Sequence, residues 1–147
     1  MSARLKGRRL QVERLTRDIT RWAQSRDDVE AVVLVGSFVR GRVGMASDVD
    51  LVILTPHFAQ LAENPSWFLQ LRPDSQLIRA MAWGRLLERR YRMRSGLQVE
   101  VGLASPAWAE LPLDPGTRRV LTNGHTVLFD ARGLLSRAGA ALNSSCP

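Results

Sequence analysis

The sequence predicts an α/β fold, a small mixed β-sheet with helices mainly on one face. Three observations carry it. Residues 29–35 form a continuous apolar, β-branched run of the kind that makes a buried strand. Residues 48–55 read as a second strand, stopped by Pro56. Before both, residues 7–28 place Val12, Leu15, Ile19 and Trp22 at spacings of three and four between arginines and acids, the apolar stripe of an amphipathic helix.

The remaining elements follow in order. The basic start around Arg4, Lys6, Arg8 and Arg9 reads as a frayed beginning of the helix. Between the two strands lies a short glycine-bounded segment, residues 38–46. Residues 56–74 predict one or two short helices around Leu61 and residues 67–71, with Pro65 in the first turn of the latter. Strand pattern returns over 76–103, broken at Gly84 and at Ser95-Gly96. From Pro106 onward, turn residues surround one short helix and one short strand, 126–129. There are no repeats and no linker, so residues 1–147 are expected to form one domain.

Burial fixes the register of the hairpin at Ser95-Gly96. Leu97, Val99, Val101 and Leu103 alternate with Gln98, Glu100 and Gly102, while Leu87, Tyr91 and Met93 alternate with Glu88, Arg90 and Arg92. A three-residue loop, Arg94-Ser95-Gly96, pairs Met93 with Leu97 and keeps the apolar sets on one face. A two-residue loop would set arginines beside valines. The accepted register puts Arg90 across from Glu100.

Composition narrows the chemistry. The longest apolar run is far too short to cross a bilayer, and the basic N-terminus lacks a secretory apolar core, so a cytoplasmic protein without membrane contact is expected. One cysteine, Cys146, with His57 and His125 cannot assemble a zinc site. Net charge is +7, with 21 Lys and Arg against 14 acids, and all the cations but Lys6 are arginine, whose planar fork suits phosphate. His57 and His125 read as strand-end and turn residues. Trp67, Trp83 and Trp108 read as core or part-core, with stacking on a base as the alternative.

The informative stretch is Gly36-Ser37-Phe38-Val39-Arg40-Gly41, followed by Ser47-Asp48-Val49-Asp50-Leu51. Asp48 and Asp50 project from one strand face, about 6.5–7 Å apart at Cα, while Val49, Leu51 and Ile53 point into the core. Paired carboxylates on a rigid face suit hard divalent cations. Gly36 lets backbone approach a phosphate, Ser37 adds a hydroxyl and Arg40 a charge-assisted donor. A third carboxylate on a neighbouring strand would complete a two-metal clamp. Glu100, the lone acid in an apolar strand, is the candidate. Arg90 and Arg92, on the face of Glu100, either contact phosphate or line a solvated surface.

The pattern G-S…R-G…S-D-x-D with a later lone acid resembles the nucleotidyltransferase superfamily, of the DNA polymerase beta-like and minimal types. The likeness covers residues 29–55 closely and 98–103 more loosely. It implies that Gly36 and Ser37 hold the triphosphate, with Arg40 at a commonly basic position; Ser47 and, from its side beside Glu100, Arg90 are further nucleotide-binding candidates. It also implies that Asp48, Asp50 and Glu100 hold two Mg²⁺ ions and form the catalytic set, with Glu100 also taking or orienting the acceptor proton. Glu100 departs from the more usual Asp. The implied activity is transfer of a nucleoside monophosphate from an NTP, with ATP the expected donor, to a hydroxyl on a small molecule or protein. A second class of function stays open, that of an antitoxin-type protein binding a helical toxin. So does a homodimer that builds the acceptor site. Nucleic acid is disfavoured as acceptor, because 147 residues leave little room for domains that grip a primer.

Overall fold

Alternation along the strands sorts the chain into two cores on opposite faces of one sheet. The structure, a computed structural model, describes residues 2–41 and 44–144, so Arg42, Val43 and Cys146, to which part of the sequence reading refers, lie outside them. The elements are α1 (Ala3–Gln24), β1 (Ala31–Val35), α2 (Ser37–Arg40), β2 (Val49–Leu54), α3 (Phe58–Glu63), α4 (Ser66–Leu71), β3 (Gln76–Trp83), β4 (Leu86–Arg92) and β5 (Gln98–Ala104). A 3-10 turn (Pro106–Ala109), α5 (Pro115–Thr122), β6 (His125–Asp130) and α6 (Leu134–Ser144) complete it. Strand order is β3-β4-β5-β2-β1-β6. Only β2 and β5 run parallel; the other pairs are antiparallel, which makes the sheet mixed as expected.

On the first face α1, α3 and α4 close over the alternate residues Val49, Leu51, Ile53, Tyr91, Val99, Val101 and Leu103, all buried. Val12, Leu15 and Ile19 of α1 supply the expected stripe. Four aromatic rings run through this core. Trp22 stacks on Trp67 at 4.6 Å, Trp67 meets Phe68 edge-on at 5.5 Å, and Phe68 stacks on Tyr91 at 4.0 Å. On the second face α5, α6 and the 3-10 turn pack over β1 and β6 through Val33, Val35, Trp108, Leu121 and Leu135. The β4–β5 half of that face is left open. The acids therefore stand on central strands of an uncovered half-face, where an open sheet edge was expected.

The β4–β5 hairpin has the expected register. Met93 N–H donates to Leu97 O at 2.8 Å and Gly96 N–H to Met93 O at 2.9 Å, with Gly96 at φ +92°. Two elements differ from expectation. The N-terminal residues are not a frayed start: Ser2 caps α1 by accepting from Leu5 N–H at 3.1 Å, and Arg8 is buried, donating to Ser95 O at 3.1 Å. Helix α6 goes beyond the single tail helix expected. Its cap lies well upstream, where the Asp130 carboxylate accepts from Leu135 N–H and Ser136 N–H at 3.1 and 2.9 Å, outside the usual cap spacing. Among the described residues no helix is long and apolar enough to cross a membrane.

Candidate functional site

A single row of ladder partners crosses the sheet: Arg79 on β3, Arg90 on β4, Glu100 on β5, Asp50 on β2, Val35 on β1 and His125 on β6. Paired residues share a face, so the polar members emerge on the open side while Tyr91, Val99 and Val49 go into the core. Asp48, two residues before Asp50, points the same way.

Two guanidinium groups tie the acids together. Arg90 Nη1 donates to Asp48 Oδ2 at 2.9 Å and to Gln98 Oε1 at 2.8 Å, and its Nη2 donates to Glu100 Oε1. Arg79 Nη2 donates to the same Glu100 oxygen at 3.0 Å, and Arg79 Nε to Glu88 Oε1 at 3.0 Å. Glu88 Oε2 accepts from Trp83 Nε1 at 2.6 Å. Arg90 Nε is buried with no partner among the described residues, so the fork is only partly satisfied in this arrangement.

Asp50 is held differently. Neither arginine reaches it, and it lies against the turn after β1. A Cβ on Gly36 would fall 2.2 Å from Asp50 Oδ2, so that position admits only glycine, which also adopts φ +85°. Burial, then its hydrogen bond to Glu100 and the charges of Glu100 and Asp48, push the Asp50 carboxyl up to about 8, against a smaller opposite pull from Arg90. Glu88 shows the reverse outcome. Burial raises it, but hydrogen bonds from Arg79 and Trp83 outweigh that and hold the carboxyl below its usual range.

These carboxylates fit hard divalent cations by donor type, and the raised Asp50 reflects its burial beside the carboxylates of Glu100 and Asp48. Asp50 is hydrogen-bonded to Glu100, and Arg90 bridges Glu100 and Asp48, while among the described residues no three His, Cys, Asp or Glu are arranged to hold a metal ion. Arg90 takes oxygens of both Asp48 and Glu100, which satisfies their charge in its own way. Asp48, Asp50 and Glu100 are the groups that would hold the ion once Arg90 withdraws.

The other expected nucleotide-binding residues are spread more widely. Ser37 opens α2 directly after Gly36. Arg40 is exposed, and its Cγ lies 3.5 Å from where a Cβ on Gly124 would be, beside the turn before β6. Ser47 Oγ accepts from Gly44 N–H at 2.9 Å, closing the turn that delivers Asp48. Glu88, Arg79 and Trp83 belong to the site without having been expected there. Alternation had placed Glu88 on the face of Arg90, and that signal was available. Arg79 depends on the β3–β4 register, which shifts between Leu77 and Arg79, and no local pattern in the sequence marks it.

Comparison with known proteins bears on this geometry. No curated protein sequence matches the chain. Among solved structures, that of the Cid1 poly(U) polymerase is similar at 19% identity over 70% of this chain and 31% of its own, with a TM-score of 0.45. Terminal uridylyl transferase 4 from Trypanosoma brucei, solved with bound UTP and UMP, is similar at 16% identity over 63% of this chain and 34% of its own, with a TM-score of 0.44. The chain thus spans about a third of the length of these structures. A family model described as a nucleotidyltransferase domain matches residues 15–107, which run from the core stripe of α1 past β5 and include Gly36, Asp48, Asp50 and Glu100. That is more than half of the chain, and the chain belongs to the nucleotidyltransferase domain family.

Proposed function

We propose that the chain transfers a nucleoside monophosphate from an NTP, with ATP the expected donor, to a hydroxyl acceptor. The observation that carries this reading is the row of Asp50 and Glu100, with Asp48 beside it, open to solvent next to the positive-φ Gly36 turn. The acceptor oxygen forms a bond to the α-phosphorus, the bond from that phosphorus to the α–β bridging oxygen breaks, and pyrophosphate leaves with the electron pair.

Each residue has a task in that step. Gly36 brings backbone close to the phosphates, and Ser37 offers them a hydroxyl. Asp48, Asp50 and Glu100 would hold Mg²⁺, which when bound would supply charge neutralisation at the transferring phosphoryl group. Glu100, beside Asp50 in the row, also orients the acceptor hydroxyl and receives its proton. Arg90, released from Asp48 and Glu100, is a charge-assisted donor for phosphate oxygen. Catalysis then rests on positioning and on preorganised charge.

Calorimetry with Mg²⁺ and ATP tests the assignment. Asp48→Asn and Asp50→Asn should each lose metal-dependent ATP binding while the fold persists. Unchanged affinity in both variants refutes the metal assignment. Mass spectrometry after incubation with each NTP identifies the base.

A further inference from the structure

We propose that the cleft running from Asp50 and Glu100 toward Gly102, with Trp83 at its rim, holds the acceptor, and that this acceptor is a compact alcohol with a hydrocarbon or aromatic body. The proposal rests on the transferase reading and names the substrate class for it.

The cleft has a volume of about 220 Å³. That corresponds to about seven liquid waters, room for one ring with a short arm. Its chemistry is sharply divided. The walls are Val35, Val52, Leu86 and Val120 with the bare backbone of Gly102, and the polar groups are the carboxylates of Asp50, Glu88 and Glu100. Among the described residues no lysine, arginine, side-chain amide or hydroxyl lines it. It therefore has nothing to grip a phosphate, and nothing to satisfy the several hydroxyls of a polyol once they leave water. A nucleobase would be read through donors as well as acceptors along its edge, and here the lining offers carboxylate acceptors alone, of which only Asp50 has no arginine partner. Glu88 is taken by Arg79 and Trp83, and Glu100 by Arg79 and Arg90. An apolar body with one hydroxyl matches the division, with the body against the valines and the hydroxyl at the acids.

Two features make this a shaped site. Gly102 faces Glu88 across the ladder, and a Cβ there would stand 3.0 Å from Leu86 Cδ2, so the depth of the cleft depends on the missing side chain. Trp83 remains 54% exposed, yet its ring is anchored, because Nε1 is bonded to the buried carboxylate of Glu88. A large apolar ring held at a rim by a charge-assisted bond is a preformed flat wall. In the transfer step the hydroxyl oxygen bonds the α-phosphorus, its proton passes to Glu100 or water, and pyrophosphate departs.

The test uses 2-phenylethanol as probe and glycerol as polar comparator, followed by the Trp83 indole N–H signal in NMR on the full chain. Expected are saturable shifts with 2-phenylethanol and none with glycerol. Gly102→Val, which fills the cleft, and Trp83→Ala, followed through backbone amides near Gly102, should each weaken the probe about tenfold or more. Gly102→Val should leave Mg–ATP affinity unchanged. Probe affinity equal to that of the wild type in both variants overturns the proposal, as does binding of glycerol as tight as that of the probe. Displacement of the probe by adenosine also overturns it, by assigning the cleft to the base. If Gly102→Val does not fold by circular dichroism, Trp83→Ala alone decides. Failure of wild-type protein to bind Mg–ATP strikes the transferase reading instead, and leaves the probe result to stand or fall separately.

Discussion

The two faces of the β4–β5 hairpin come from the same two stretches of chain and are built on opposite principles. On the covered face Tyr91, Val99, Val101 and Leu103 are sealed by α3, α4 and α1, and Phe68 stacks on Tyr91. On the open face Glu88, Arg90 and Glu100 are satisfied mainly by one another, by Arg79 and by Asp48. Packing on the first face resists any change of volume. On the second, exchanging one partner for another costs little, and Arg90 holds oxygens that a cation would otherwise take. The difference teaches that a two-residue period lets one strand serve stability and chemistry independently. Mutations should separate the two cleanly.

The largest separation is expected between Glu100→Gln and Phe68→Ala. Glu100→Gln keeps shape and hydrogen-bonding capacity but loses the charge and the basicity. Transfer should fall by about 10²–10⁴-fold, with NTP binding spared and melting little altered. Phe68→Ala removes a fully buried ring from the covered face and should cost about 3–5 kcal/mol of stability, read by urea unfolding. Its effect on transfer should vanish at temperatures where the variant remains folded. A Glu100→Gln protein as destabilised as Phe68→Ala would erase the distinction between the faces.

Next in size is a pH effect confined to the open face. In the folded state Asp50 holds its proton up to about 8, whereas in the unfolded chain it ionises near 3.8. Between those values the native state binds more protons than the unfolded one, so stability falls as pH rises through that window. Asp50→Asn removes the titration. With divalent metal chelated, the variant should be more stable than wild type by about 1–3 kcal/mol at pH 8, and the difference should shrink toward pH 4, as melting curves would show. A wild-type curve flat across that range would mean that the open face is already neutralised.

The contrast between faces also marks what the sequence made legible. Period-2 alternation identified the buried set on β2 and β5, and the three-residue loop then put Arg90 opposite Glu100, because a two-residue loop would have set arginines beside valines. The row Asp50–Glu100 needed in addition that β2 and β5 be parallel neighbours, which no local pattern in the sequence gives. Arg79 was out of reach, since β3 is exposed throughout and so carries no burial signal to fix its pairing, and a register shift intervenes. Arg8 escaped for another reason. A guanidinium bonded to carbonyl oxygen on a distant loop leaves no periodic trace.

The smallest effect concerns a flaw in the covered face. Tyr91 is fully buried, and its hydroxyl has no hydrogen-bond partner among the described residues. Burial, only slightly offset by Arg89, pushes that phenol up to about 12. A hydroxyl taken from water without compensation costs about 1–3 kcal/mol, while the ring itself contributes stacking and apolar area. Tyr91→Phe keeps the ring against Phe68 and deletes only the unmatched group, so it should raise stability by about 1 kcal/mol in denaturant unfolding. Because residue 91 alternates away from Arg90 and Glu100, transfer should not change. A loss of stability would show that the hydroxyl is satisfied by a buried water, and a loss of transfer would show that the two faces communicate through β4. Either result would break the independence that alternation confers, the first for packing and the second for chemistry.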